Sequence, residues 1–79
     1  MAHNDTNKHI AESVENTRGA QGLSQSALAR EAGIPLTTFR RKIAGHGSFT
    51  LDELEALGLP LGRGLASWFA DLPRIAGRA

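Results

Sequence analysis

Three consecutive cations in the middle of the chain are the residues of this sequence best suited to chemistry. Arg40, Arg41 and Lys42 lie in a stretch that contains no acidic residue between Glu31 and Asp52. A guanidinium group donates paired hydrogen bonds to phosphate or to the O6 and N7 atoms of guanine, whereas an ammonium group binds phosphate as a compact charge. The run therefore indicates binding of a nucleic acid, and an ordinary solvated helix face is the simpler alternative.

The spacing of the neighbouring residues predicts a helix with one apolar side and one polar side. At about 100° per residue, the apolar side consists of Leu36, Phe39 and Ile43. The opposite side consists of Thr37, Thr38 and Arg41. A helix with this layout fits the major groove of DNA, where its outer side reads base edges and flanking cations hold phosphates. We therefore expect the polar side to contact bases, and Arg40 and Lys42, on the flanks, to contact the DNA backbone.

A second short helix is predicted directly before this one, and the two form a helix-turn-helix over about residues 24–44. Ser24 is a good N-cap, and Gly33 is placed to end the first helix in a left-handed conformation. Two helices that cross closely need a small residue at the crossing, and an apolar residue must fix the second helix to the first. The predicted core of the motif is Ala29, Gly33, Phe39 and Ile43.

A helix with a weak apolar stripe is predicted before the motif. It covers about Thr6 to Arg18, and Asp5 or Thr6 could cap it. The glycine-containing segment from Gly19 to Gly22 is expected to form an extended link to the helix-turn-helix.

Two more helices are predicted after the motif. The first begins at the capping box Thr50-Leu51-Asp52-Glu53 and is expected to end at Gly58 and Pro60. The second carries Trp68, Phe69 and Leu72 on one face. These three residues either close the core over the first helix or form a dimer or partner surface, and one ring inside with the other outside would satisfy both alternatives.

The composition favours helices over sheets. The chain has twelve alanines and ten leucines, but only five of its apolar residues are β-branched. Its length of 79 residues is typical of one small domain. We therefore expect one all-α domain over residues 1–79, a compact bundle of about five short helices with flexible ends at 1–5 and 74–79.

Several function classes are disfavoured by what the sequence lacks. It contains no cysteine, which removes disulfides and thiolate metal sites and indicates a reducing compartment. Its three histidines lack metal-ligand spacing, and no acid–base cluster or phosphate-binding glycine loop occurs. No apolar run is long enough for a membrane span, and the polar N-terminus is unlike a secretory signal. We expect no enzymatic activity, no cofactor or metal, no small-molecule ligand and no membrane partner.

Two segments resemble the Cro/phage-repressor (Xre-type) helix-turn-helix family. They are LSQSALAREAGI, from Leu23 to Ile34, and TTFRRKIAG, from Thr37 to Gly45, the latter followed by FTLDEL. The resemblance covers about Leu23 to Leu57 and is strongest to actinobacterial and actinophage members of the family.

The resemblance implies a lambda-repressor-like DNA-binding domain and adds further contacts to DNA. Gln25, in the first turn of the helix that begins after Ser24, would contact a phosphate. His46 and Ser48, which follow the recognition helix, would approach the DNA backbone. Thr37 and Arg41 would fall on base-reading positions.

The expected function is sequence-specific binding of double-stranded DNA by a transcriptional regulator. On the resemblance, this would be a phage repressor or Cro-like protein that occludes an operator in the cytoplasm of a bacterial host, at the nucleoid. One alternative is an antitoxin-type protein-interaction module with autoregulatory DNA binding, and another is a recombination-directionality or architectural factor. The sequence leaves open whether the protein binds as a homodimer on a palindrome or as a monomer.

Overall fold

The described part of the chain is built from five helices and contains no strand. A computed structural model describes residues 2–70, with side chains described from Thr6 onward. The helices are α1 (Ala2–Ala20), α2 (Gln25–Ala32), α3 (Leu36–Ile43), α4 (Leu51–Leu61) and α5 (Leu65–Ala70). The expected all-α architecture is confirmed for this part of the chain. Leu72 and the tail from 74 to 79 lie outside the described residues.

Helix α1 is longer at both ends than the sequence predicts. It begins at Ala2, so the cap predicted at Asp5 or Thr6 is wrong, because both positions lie inside the helix. The helix also continues through Gly19 to Ala20. The chain then turns at Gly22, which has a φ of 73°. The predicted extended link from Gly19 to Gly22 is therefore wrong. A glycine is tolerated in the last helical turn, and the second glycine supplies the left-handed residue that ends the helix.

Helices α2 and α3 are separated by a short turn centred on Gly33. The Ser24 hydroxyl accepts a hydrogen bond from the Ala27 N–H at 3.0 Å, which confirms the predicted N-cap of α2. Gly33 has a φ of 73°, and the Ile34 N–H reaches back to the Ala29 carbonyl at 2.9 Å. This backbone bond closes the end of α2 and directs the chain immediately into α3.

Helix α4 starts where the sequence predicts but ends later. Thr50 and Glu53 form the predicted capping box, with both side-chain-to-backbone bonds present. The helix runs through Gly58 and Pro60 to Leu61, so its predicted end is wrong. Pro60 lies in the last turn, where its missing N–H removes one hydrogen bond, and continuation of the helix buries Leu61 in the core.

Every helix contributes to one apolar core. Its buried members are Ile10, Val14, Leu28, Ala29, Ile34, Phe39, Leu54, Leu57, Leu61 and Trp68. Helix α2 packs against both α3 and α4, and α1 lies across α3, α4 and α5. The two helices of the motif are thus held by the rest of the bundle, and one side of α3 is left at the surface. None of the described helices is both long and apolar enough to cross a membrane.

Candidate nucleic-acid interface

Helix α3 has the two-sided character that its sequence predicts. Phe39 is fully buried, and its ring lies 5.9 Å from that of Phe49. Thr37 and Arg41 are exposed on the outer side, one helical turn apart, and Thr38 is half-buried beside them. The outer side of α3 is therefore a short polar surface on a helix whose other side is fixed in the core.

The four residues predicted to form the core of the helix-turn-helix differ in how deeply they are buried. Ala29 is 1% exposed where α2 meets the rest of the bundle. Ile43 is half-buried and packs against the core, and Gly33 forms the turn rather than the packed interior. The backbone of α3 is thus fixed through Phe39 and Ile43, near the middle and at the end of the helix.

The Arg41 side chain reaches past the C-terminal end of its own helix. Its Nη1 donates to the His46 carbonyl oxygen at 2.9 Å, beyond the end of α3. A Cβ atom built on Gly47 would lie 3.0 Å from the same nitrogen. The glycine therefore leaves room for the guanidinium group, which closes the turn from 44 to 47.

His46 and Ser48 lie in the loop between α3 and α4. Both residues are exposed, and they follow the C-terminal end of α3. Gly45 and Gly47 flank His46 with φ values of 95° and 141°, which side chains other than hydrogen rarely allow. The backbone of this loop is thus shaped by glycine at two positions and tied to α3 by Arg41.

Arg40 is linked to α2 and, through it, to α1. Its Nε donates to Gln25 Oε1 at 3.2 Å, and Gln25 Nε2 donates to Glu15 Oε1 at 3.2 Å. Arg18 donates to both carboxylate oxygens of Glu15 at 2.9 Å. The Arg18 hydrogen bonds hold the pKa of Glu15 below its ordinary value, although partial burial acts in the opposite direction. Glu15 is therefore ionised at neutral pH.

Lys42 is paired with an acidic residue of the next helix. Its Nζ lies 2.7 Å from Glu53 Oε1, and its side chain is only 12% exposed. The same carboxylate oxygen accepts the Thr50 N–H of the capping box at 2.9 Å. Burial opposes the charge on Glu53, but the hydrogen bonds from Lys42 and Thr50 outweigh it, so the pKa of Glu53 lies below its ordinary value. Lys42 thus joins the end of α3 to the start of α4.

The aromatic pair of α5 divides between core and surface. Trp68 is fully buried, and its indole N–H donates to the Leu54 carbonyl at 3.0 Å. The Arg63 guanidinium lies 4.2 Å above the indole ring and donates to the Thr17 hydroxyl of α1. Phe69 is 39% exposed. Leu72, the third residue of the predicted surface, lies outside the described residues.

The residues that connect α3 to its neighbouring helices were not predicted from the sequence. Glu15 and Arg18 carry a local signal, since opposite charges three apart meet on a helix. Glu53 is recognised from sequence only as a capping residue, because its pairing with Lys42 joins two helices. No sequence signal marks the contact of Gln25 with Arg40, fifteen residues later.

The described side chains form no candidate metal centre. Among them, no group of three or more histidine and acidic side chains is placed to hold a metal ion. The three consecutive cations of α3 are each hydrogen-bonded to a neighbouring group, Arg40 to Gln25, Arg41 to the His46 carbonyl and Lys42 to Glu53.

The fold is similar to that of a known bacterial regulator. The crystal structure of an HTH_3 family transcriptional regulator from Vibrio cholerae matches with a TM-score of 0.76 at 26% identity, over 90% of this chain and 41% of that chain. This chain therefore spans less than half the length of the Vibrio protein. No protein-family model matches the sequence, and no curated protein matches it. The structural match supports the helix-turn-helix fold expected from the sequence.

Proposed function

We propose that this chain is a sequence-specific DNA-binding transcriptional regulator that presents α3 to the major groove of a DNA duplex. The observation that carries the proposal is the construction of α3, with Phe39 fully buried on one side and Arg41 and Thr37 exposed on the other. The likeness of the fold to a transcriptional regulator supports the same function. A rigid helix with a polar outer side is what reading base edges requires.

The residues assigned to base contact are Thr37, Thr38 and Arg41. The threonine hydroxyls hydrogen-bond to base edges, and their methyl groups contact the thymine methyl. Arg41 contacts guanine after its guanidinium group leaves the His46 carbonyl, its partner at 2.9 Å without DNA. The exchange replaces a hydrogen bond to a neutral carbonyl with paired bonds to guanine O6 and N7.

The residues assigned to the DNA backbone are Gln25, Arg40, Lys42, His46 and Ser48. Gln25 and Arg40 lie side by side at the start of α2 and along α3, so one phosphate group can accept from both. Lys42 is held by Glu53 and must leave that carboxylate, at least in part, to reach a phosphate. We therefore assign the larger contribution to Arg40.

The proposed mode of regulation is occlusion of an operator, as by a phage repressor or Cro-like protein. Support for this finer assignment comes from the LSQSALAREAGI and TTFRRKIAG segments, whose resemblance to that family covers the motif and the start of α4. A protein bound in the major groove at a promoter excludes polymerase without needing any catalytic group.

Selection of the purified protein on a random double-stranded DNA library tests this function. We expect enrichment of a defined sequence, with an affinity that falls steeply as salt increases, because phosphate contacts release counterions. A palindromic consensus would indicate a dimer on paired half-sites, and a short asymmetric consensus would indicate a monomer. A library without enrichment, together with weak and salt-sensitive binding to all sequences, would contradict the function.

A further inference from the structure

Four side chains form a continuous path of hydrogen bonds from α1 to α3. Arg18 holds both oxygens of Glu15, and its Nη1 also donates to the Leu23 carbonyl at 2.6 Å. Glu15 accepts from Gln25, and Gln25 accepts from Arg40. The path begins in the first helix, outside the helix-turn-helix, and ends at the cation on the flank of the proposed recognition helix.

The chemistry of the path fixes the orientation of the Gln25 amide. A carboxylate only accepts hydrogen bonds, and a guanidinium group only donates them. Gln25 must therefore turn its NH2 group towards Glu15 and its oxygen towards Arg40, as observed. Without Glu15, the amide has no charged acceptor to hold its nitrogen and is free to turn its oxygen away from Arg40.

Holding Arg40 in one direction matters because its side chain is long and exposed. An arginine loses rotamer freedom when it docks on a phosphate, and a side chain that is already oriented loses less. The Gln25 contact uses Nε of Arg40, an exposed residue, so the two terminal nitrogens of the guanidinium group take no part in this contact. The NH2 group of Gln25 also retains a second hydrogen for a phosphate oxygen.

We propose that Glu15 is a positioning residue for DNA binding, which orients Gln25 and thereby Arg40 towards a backbone phosphate. This inference rests on the proposed function and adds to it a residue outside the motif. It gives Glu15 an effect opposite in sign to simple electrostatics. A carboxylate near DNA repels the phosphates, so its removal alone would tighten binding. Arg18 limits that repulsion because it neutralises both oxygens of the carboxylate.

Three substitutions separate positioning from charge. Glu15→Ala removes both the charge and the acceptor, whereas Glu15→Gln removes the charge and keeps an oxygen that Gln25 can reach. Glu12→Ala is the matched control, because Glu12 is an exposed carboxylate on the same helix. The probe is the duplex enriched by selection, and circular dichroism verifies that each variant is folded at the assay temperature.

The expected result is an order of affinities that charge alone cannot produce. Glu15→Ala weakens binding about three- to tenfold, the range expected for loss of one oriented hydrogen-bonded contact. Glu15→Gln stays closer to the wild type, and Glu12→Ala does not weaken binding. The slope of log affinity against log salt concentration (the salt slope) becomes shallower in Glu15→Ala, because the phosphate contact of Arg40 is lost in part. A variant that is merely less folded would keep its slope.

A double-substitution cycle tests whether Glu15 acts through Arg40. In an Arg40→Ala background, the loss caused by Glu15→Ala must shrink, since the residue that it positions is gone. An undiminished loss in that background would overturn the inference, as would a Glu15→Ala variant that binds as tightly as the wild type or more tightly. Failure of the wild-type protein to bind any selected duplex would instead overturn the proposed function itself.

Discussion

Arg41 donates a hydrogen bond to the His46 carbonyl at 2.9 Å, so the residue that we assign to guanine also closes the turn that follows its helix. The contact holds the guanidinium group near the outer side of α3 and keeps the loop from 45 to 48 in place. Because the side chain is exposed, it can exchange this carbonyl for a base edge without unfolding anything.

Arg41→Ala should weaken binding to the selected duplex by about 1–3 kcal/mol and relax the preference at one base position. The loss comes from the paired hydrogen bonds that only the correct base accepts. Competition binding against a mixed-sequence duplex of equal length measures it. Equal losses on both duplexes would show that Arg41 contacts the backbone rather than a base.

Arg40→Ala should weaken binding to all sequences alike and lower the salt slope by about one. The reason is that a phosphate contact carries no sequence information but releases a counterion. Arg30→Ala is the matched control, since Arg30 is an exposed arginine at the opposite end of α2 from Gln25. The measurement is a salt titration of DNA binding by the wild type, Arg40→Ala and Arg30→Ala. Equal salt slopes for the wild type and Arg40→Ala would show that Arg40 does not contact a phosphate.

Phe39→Ala should unfold the motif rather than only abolish binding. The ring is fully buried, and the truncation of a buried phenylalanine costs about 3–5 kcal/mol, a large part of the stability of a small domain. Phe69→Ala is the control, because that ring is 39% exposed and should cost much less. Thermal denaturation followed by circular dichroism compares them, and an unchanged melting temperature for Phe39→Ala would refute its place in the core.

Gly58→Ala should destabilise the protein, although alanine is the better helix former by about 1 kcal/mol. A Cβ at this position would lie 1.9 Å from the Arg63 carbonyl oxygen, so the turn after α4 would have to move. Gly64→Ala provides the control, since a Cβ there meets nothing within 4 Å. If the melting temperature of Gly58→Ala rose, the close packing of the α4–α5 connection would be wrong.

Glu53→Gln should make the free energy of unfolding fall less steeply as the pH is lowered into the acid range. The pKa of Glu53 is lowered in the folded protein, so its contribution is fully present above about pH 4.5, the ordinary glutamate value, and is lost as the pH falls through the folded pKa. The wild type should therefore lose stability more steeply below that pH than the variant. Glu55→Gln, exposed on the same helix, is the control, and identical acid profiles for wild type and Glu53→Gln would contradict the pairing with Lys42.

The parts of the fold that follow from neighbouring residues could be predicted from the sequence. Ser24 and the Thr50–Glu53 pair cap helices within one turn of chain, and Gly33 supplies its own left-handed conformation. The end of α4 could not be predicted in the same way. Local rules favour a stop at Gly58 and Pro60, but the burial of Leu61, which depends on the rest of the bundle, carries the helix further.

The same distinction between local and long-range features applies to the candidate site. The outer face of α3 follows from helical spacing, because Thr37, Arg41 and the buried Phe39 lie within two turns. The partners of its cations could not be predicted, since Gln25 reaches Arg40 across the turn and Glu53 reaches Lys42 from the next helix. Spacing along one helix carries no information about which neighbouring helix faces it.

An NMR titration of the isotope-labelled protein with the selected duplex tests DNA reading by α3 most directly. We predict that the largest changes of the backbone amide signals occur in α3, in the loop from 45 to 48 and at the start of α2, and that α5 is little affected. Changes concentrated on α4 and α5, or uniform small changes with every duplex, would contradict the proposed recognition surface.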